Sequence, residues 1–350
     1  MNPPHPGIWA ALAAAALFGA STPLVKLLVG ELPPVLLAGL LYLGSGLGLT
    51  GIRFVRDRGW KPGGLAPGEW RWFAGAIVFG GVLGPVFLVF GLTRTDAGPA
   101  SLLLNLEAVF TAVLAWVVFK ENADRRIVLG MLLIVAGGAL LAWPVAGSPP
   151  QDIVGLLAIA AACLCWGIDN NLTRRVSGSD ALFIAGTKGL VAGTVNSGLA
   201  LLLLGASLPA WSTAGAAMLV GLAGYGLSLV FFVLALRHLG TARSGAYFST
   251  APFIGAAMAI VLLGEPAPAP FWIAAVLMAL GVWLHLAERH EHLHTHEALI
   301  HSHRHVHDAH HPHAHDFEWD GQEPHSHVHR HEPLTHRHPH FPDIHHRHRH

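Results

Sequence analysis

The sequence predicts an all-α membrane protein, with ten transmembrane helices arranged as two inverted five-helix repeats and a disordered histidine-rich tail. Three observations predict it. Hydrophobic residues make up 53% of the 350 positions and charged ones only 12%, a balance unlike that of a soluble globule. The chain from residue 7 to 287 breaks into apolar runs of roughly 20 residues, the length a helix needs to cross the hydrocarbon. The last 63 residues, 288–350, are polar and carry 23 of the 26 histidines.

Punctuation by Pro, Gly and charge places the runs at 8–29, 33–54, 71–93, 98–119, 127–144, 152–173, 181–204, 212–236, 243–263 and 269–287. The first has the apolar run and small-residue end of a signal peptide, but no Lys or Arg precedes it, so it reads as a membrane span. Cytoplasmic loops keep Lys and Arg. With the amino terminus inside, the inner loops hold Arg53, Arg56, Arg58, Lys61, Arg71, Lys120, Arg125, Arg126, Arg174, Arg175, Arg237 and Arg243, and the outer loops only Lys26 and Arg94. That asymmetry puts both termini in the cytoplasm of a multi-pass protein of the bacterial inner membrane.

The hydrophobic region repeats itself. Shifted by 144 residues, PVFLVFGL (85–92) lies over LVFFVLAL (229–236), and NLEAVFTAVLAWVVFKE (105–121) over STAPFIGAAMAIVLLGE (249–265). A shift of 148 sets LFGASTPLVK (17–26) over CWGIDNNLTR (165–174). Two repeats of five spans, 8–144 and 152–287, must insert in opposite senses because five is odd. Inverted repeats that hold substrate near the midplane are a transporter arrangement.

The paired segments LEAVFTAVLAWVVFKE with LGMLLIVAGGALLA, and APFIGAAMAIVLLGE with FWIAAVLMALGVWL, resemble the EamA-type family of the drug/metabolite transporter superfamily over residues 8–287. The resemblance implies ten helices in two EamA repeats and a small organic solute as substrate. The family pattern usually reads Glu-Pro where this chain has Glu107-Ala108 and Ala251-Pro252, so coupling through a glutamate would rest on the first repeat alone.

Ionisable groups inside a bilayer cost ~2.5–3.5 kcal/mol on insertion scales and tend to be there for a reason. Glu107, a third of the way along the fourth run, is one. Burial disfavours the charged form of a carboxylic acid, so Glu107 is a candidate to take up a proton during transport, against a purely structural hydrogen bond. Lys188 is the second: it pairs with Glu107 or Asp169, attracts an anionic solute, or reaches back to the inner interface. Asp169, Asn170 and Asn171 are placed to line the inner mouth, unless their nearness to Arg174 and Arg175 makes them interfacial. Asn105, Asn196, Tyr225 and Tyr247 line a cavity or tie helices together. Glu121 and Glu265 read as boundary or capping residues, Gly80 and Gly84 as a small-xxx-small packing contact, and Cys163 and Cys165 as small packing groups. No HExxH, GxSxG or GxxxxGK[ST] pattern is present, so an enzyme is not expected and transport would draw on a gradient.

The tail is a duplication. Shifted by 35 residues, His290, His292, His294, His296, His301, His303, His305, His310, His311, His313 and His315 coincide with His325, His327, His329, His331, His336, His338, His340, His345, His346, His348 and His350. The modules are 290–315 and 325–350. Too few apolar residues occur to build a core. Alternating His-x-His sets imidazoles on one side of an extended strand, and neutral imidazole suits Zn, Ni, Co or Cu. The rival readings of the tail are a pH-sensitive charge switch and an expression tag, the latter disfavoured by the irregular, duplicated sequence.

The expected partners are therefore the lipid bilayer, a small-molecule substrate and divalent metal ions at the tail; nucleic acid is not among them and no cofactor is required. The leading function is secondary export of a metabolite or drug-like solute with a metal-binding regulatory tail. Divalent-metal export, with the tail collecting ions, is the alternative, and a membrane-anchored metal buffer or sensor is a third.

Overall fold

The computed structural model describes residues 6–118, 125–143, 152–176, 179–232, 234–235, 247–286, 290–296, 299–305, 325–331 and 334–340. The chain divides into two compact units, Met1–Glu288 and Arg289–His350.

The first unit is helical. We number its helices α1 (Pro6–Leu28), α2 (Pro34–Asp57), α3 (Pro67–Leu92), α4 (Ala97–Val117), α5 (Arg125–Ala142), α6 (Ile153–Arg174), α7 (Ala181–Gly198, continued by Leu199–Leu203), α8 (Trp211–Phe232), α9 (Ala251–Leu263) and α10 (Ala269–Leu286). Among the described residues, α1 to α6 and α8 are long and apolar enough to cross a membrane, and α9 and α10 are shorter apolar helices. Where both ends of a helix are described, they fall within a few residues of the ends read from hydropathy, except that α9 begins at Ala251, eight residues after the start of the 243–263 run.

Local chemistry sets the ends. Pro34 opens α2, where a missing N–H costs nothing. Arg58 closes it in the left-handed conformation (φ 54°). Asp152 caps α6 by accepting from the N–H groups of Val154 (2.9 Å) and Gly155 (3.2 Å). Arg94 grips the other oxygen of Asp152 at 2.9 Å, and that contact, with the cap bonds, holds its carboxyl below the usual carboxylate range. Asp180 caps α7 through the Leu182 N–H (2.8 Å).

Glycine decides how closely the helices meet. A methyl on Gly46 would overlap the Gly189–Leu190 backbone of α7. One on Gly193 would meet Leu43 of α2, and one on Gly39 would meet Ser197. The crossing of α2 and α7, equivalent helices of the two repeats, is thus backbone against backbone, the close approach that small residues permit in membranes. Gly44 of α2 likewise abuts Met218 of α8. Around this crossing lies a buried apolar core from Leu36, Leu37, Leu41, Leu88, Leu92, Leu102 and Ile159.

In the second unit the described backbone forms four strands, β1 (His290–His296), β2 (Leu299–His305), β3 (His325–His331) and β4 (Leu334–His340). The sequence-based expectation for this tail is disorder; extended pairing is found instead, in keeping with the period-two alternation of its histidines. β1 pairs antiparallel with β4, and β2 with β3, so each module pairs with the other. His290, His292 and His294 stand opposite His340, His338 and His336, and His301, His303 and His305 opposite His329, His327 and His325.

Candidate functional site

The polar residues of the first unit converge on α6, whose C-terminal half presents two faces. Trp166, Asp169 and Thr173 follow i, i+3, i+7 spacing and lie on one face. Asn170 and Asn171 are turned roughly 100° and 200° from Asp169.

Asp169 is buried. The Lys188 ammonium of α7 pairs with its Oδ2, and the Thr173 hydroxyl donates to Oδ1 at 2.8 Å. Of the partners the sequence offers Lys188, the structure selects Asp169. Both side chains are largely out of solvent, at 14% and 10% exposure, so the pair sits where attraction and desolvation are both large. Gly80 of α3 makes room for it: a methyl there would overlap the Asp169 carboxylate. One turn on, a methyl on Gly84 would press on the Trp166 indole at 2.7 Å. The Gly80–Gly84 pair is a packing contact, as its spacing indicates, and its partner is this face of α6.

The α3 backbone is itself altered here. Ile77–Leu83 is π-helical, and the Gly84 N–H bonds back to Phe79 O. The next donor, which would serve Gly80 O in the same register, belongs to Pro85 and does not exist. The stranded carbonyl accepts from the Tyr42 hydroxyl (2.7 Å) and the Trp166 indole N–H (3.1 Å) instead, so one proline ties α2, α3 and α6 together. Asn196 of α7 donates to Val82 O in the same segment at 3.2 Å, while its own buried carbonyl oxygen has no partner. A second π-helical segment, Leu222–Leu227 in α8, falls at the position that the 144-residue repeat assigns it, and π-bulges favour functional sites.

The other face of α6 meets α4. Asn170 donates to Glu107 Oε1 (2.8 Å) and to the Thr111 hydroxyl (3.3 Å), and Asn171 to Thr111 O (3.2 Å) and Gly167 O (2.9 Å). Glu107 is half-buried and Asn170 exposed. Glu107 owes its placement to a break in α4: the helix tightens at Leu104–Asn105, with i→i+3 bonds from Asn105 N to Leu102 O and from Glu107 N to Leu104 O. Asn105 is buried at this break and donates to Leu102 O at 2.8 Å, so it serves the bend. A similar turn at Ser249–Thr250 precedes α9. Discontinuous helices of this kind build the binding sites of inverted-repeat carriers.

An aromatic wall adjoins the cluster. Phe18 of α1 packs edge-on to Trp166 (6.5 Å) and Tyr225 (6.1 Å), Tyr225 lies 5.6 Å from Tyr42, and Phe248 lies 5.4 Å from Phe18. The wall thus draws on both repeats. Tyr247 is half-buried beside Phe248, and its carbonyl accepts from Thr250. Sequence reasoning names Tyr225 but overlooks Tyr42, Trp166 and the Gly80 carbonyl; the GGVLGP run, whose proline follows the glycines, is the signal for the last. Cys163 and Cys165 are buried and free. Among the described residues no three His, Cys, Asp or Glu side chains come together. Glu121, His238, His307, His310, His311, His313, His315, His345, His346, His348 and His350 lie outside the described residues, as do the side chains of the histidines in the strands.

Helices with discontinuous turns, a buried ion pair and a repeat that recurs in the three-dimensional details define a membrane transporter. The model of the EamA-like transporter family matches residues 5–143 and 153–287, and the chain belongs to that family. It is 26% identical over 288 residues to an uncharacterized transporter of Methanothermobacter thermautotrophicus, covering 78% of this chain and 84% of that one. A probable terminal-alkyne amino-acid exporter of Streptantibioticus cattleyicolor is 28% identical over 208 residues, 57% of this chain and 67% of the relative. A probable 4-amino-4-deoxy-L-arabinose-phosphoundecaprenol flippase subunit, ArnE, of Pseudomonas paraeruginosa is 36% identical over 110 residues, 31% of this chain and 91% of its own. A solved crystal structure superposes with a TM-score of 0.58 at 19% identity, covering 80% of this chain and 96% of the other, and shows a shared fold.

Proposed function

We propose that the protein is a ten-span secondary carrier of the inner membrane, with both termini in the cytoplasm, that exports a small organic metabolite or drug-like solute. The observation that carries this reading is the polar cluster of Glu107, Asn170, Asp169 and Lys188, set among apolar helices against an aromatic wall built from both repeats. Carboxylates, an ammonium, amides and ring faces together are a donor and acceptor set for an organic solute. That a relative is named an amino-acid exporter supports the direction and the size of the cargo. Glu107 is the proposed coupling group, exchanging its bond from Asn170 as its charge alternates, and Lys188 the group that meets an anionic part of the cargo once Asp169 releases it. Asn105, Asn196, Tyr225 and Tyr247 belong to the walls rather than to the exchanging groups.

The tail is proposed to bind Zn, Ni, Co or Cu and to regulate the carrier by metal level. The cross-module register, histidine opposite histidine at six positions, supports it.

The test is flux in everted vesicles against amino acids, drugs and nickel, cobalt and zinc, with and without residues 288–350. Organic-solute flux that survives tail deletion and falls in Glu107→Gln is expected. Metal flux alone would replace the reading with metal export, and complete loss of function with the tail would replace it with a buffer or sensor.

A further inference from the structure

We infer that Glu265 is a latch that holds the two repeats together at the end of the bundle where α3 turns into α4 and α9 into α10, and that Asp96 takes over its place when that end opens. The inference rests on the carrier reading above. Glu265 follows α9, where Gly264 turns the chain in the left-handed conformation (φ +65°). Its carboxylate crosses to the first repeat: Oε1 accepts from the Ala97 N–H and Oε2 from the Gly98 N–H, each at 2.7 Å. These are opening N–H groups of α4, which have no acceptor within their own helix. Capping is what the sequence assigns Glu265, but the helix it caps belongs to the other repeat.

α4 has a cap residue of its own and leaves it idle. Asp96 stands at the N-cap position, in the extended conformation (φ −65°, ψ 153°) that caps adopt, and its side chain makes no cap bond. It is exposed. Two carboxylates therefore compete for one set of N–H donors, one from within the first repeat and one from the second. On a swap Asp96 can take the Gly98 N–H, since Pro99 at the next position has none, and the Ala97 N–H passes to the water that enters, so the end of α4 stays satisfied whether or not the repeats are joined.

The seam below the latch is suited to parting. Ser101 of α4 lies against Gly255 of α9, and a methyl on Gly255 would also meet the Gly19 carbonyl of α1 at 2.7 Å. The contact is small residues against backbone. The Ser101 hydroxyl is buried there with no hydrogen-bond partner, a cost that opening to water would remove. The closed seam is thus held by packing and by Glu265 against an unsatisfied hydroxyl.

The test is reciprocal accessibility in the full chain, with Cys163 and Cys165 replaced by alanine. Ser101→Cys reports the outer seam in right-side-out vesicles, and Asn170→Cys reports the inner half of α6 in inverted ones, each by labelling rate with a membrane-impermeant maleimide. Glu265→Gln is expected to raise Ser101→Cys labelling roughly tenfold, the weight of one charge-assisted hydrogen bond, and to lower Asn170→Cys labelling. Asp96→Ala is expected to shift both rates the opposite way. If Glu265→Gln fails to insert, Glu265→Asp, too short to reach both N–H groups, takes its place with the same expected signs. Unchanged Ser101→Cys labelling, or both probes rising together as in a loosened fold, overturns the latch. Reciprocal shifts, with no flux of any solute in a chain that keeps Asn170, would instead uphold the latch and remove the carrier reading.

Discussion

Asp169 of α6 holds Lys188 of α7 on one carboxylate oxygen and the Thr173 hydroxyl on the other, so the bonding of an ion pair deep in the bundle is shared between two helices. Removing one partner strands a buried charge. Lys188→Met is expected to destabilise the protein by about 3–5 kcal/mol, and pairing it with Asp169→Leu to restore most of the loss. Thermal unfolding in detergent measures both; a double variant no better than the single would show that the pair is not what holds α6 to α7.

The Gly80 carbonyl offers a second test. Tyr42→Phe deletes one of its donors and is expected to cost ~1 kcal/mol. Pro85→Ala supplies a backbone N–H at the position that could serve the same carbonyl, so Tyr42→Phe should cost measurably less in that background. Equal costs in the two backgrounds would mean that the proline does not set the demand.

Glycines on the two sides of α2 are not equivalent. A methyl on Gly51 would have no neighbour within 4 Å, whereas one on Gly46 would meet the backbone of α7. Gly51→Ala is expected to be neutral or stabilising by up to ~1 kcal/mol, from helix propensity. Gly46→Ala should lower the unfolding temperature sharply, and a tolerated Gly46→Ala would contradict the backbone crossing.

Where the end of α2 meets the start of α7, partial burial pushes the Asp180 carboxyl up, but the Arg56 guanidinium and the N–H groups of Leu182 and Phe183 outweigh it and hold the carboxyl below its ordinary value. Its contribution to stability is therefore complete above the ordinary carboxylate pKa and is lost as pH falls through the depressed one. The unfolding-temperature gap between wild type and Asp180→Asn should be constant near neutrality and close in acid. Arg53, which bonds Lys61 O (2.8 Å) and Pro62 O (3.1 Å), would keep the α2 end ordered meanwhile.

The tail should bind divalent metal with an affinity that falls as pH drops through ~6.5, because only neutral imidazole ligates. Because β1 pairs with β4 and β2 with β3, deleting 325–350 removes a partner from every strand of the first module. Zinc uptake, measured by titration, is then expected to fall by more than half. A loss of half would mean that each module binds alone.

Hydropathy made the helices legible, since a lipid-spanning helix must be apolar along its whole length, and the repeat was legible because duplicated segments keep their order of residues. The ion pair was half legible: Lys188 and Asp169 are conspicuous in apolar surroundings, but spacing along a chain does not say which of two carboxylates a lysine on another helix will meet. Tyr42 and Trp166 were illegible because an aromatic residue in an apolar run looks like core, and only the stranded carbonyl of Gly80 gives their polar atoms a task. Asn105 was legible only as a polar group in a span: no pattern in the sequence says that its amide bonds three residues back along its own helix and reaches Met278 of α10.

The crossing of α2 and α7 has a mechanical implication. Two rods touching backbone to backbone at Gly46 and Gly189, with Gly39 and Gly193 meeting backbone and side chain on either side, cannot approach further. Such a contact behaves as a fulcrum. Any rocking of one repeat on the other would swing about it, with the longest lever arms at the two faces of the membrane.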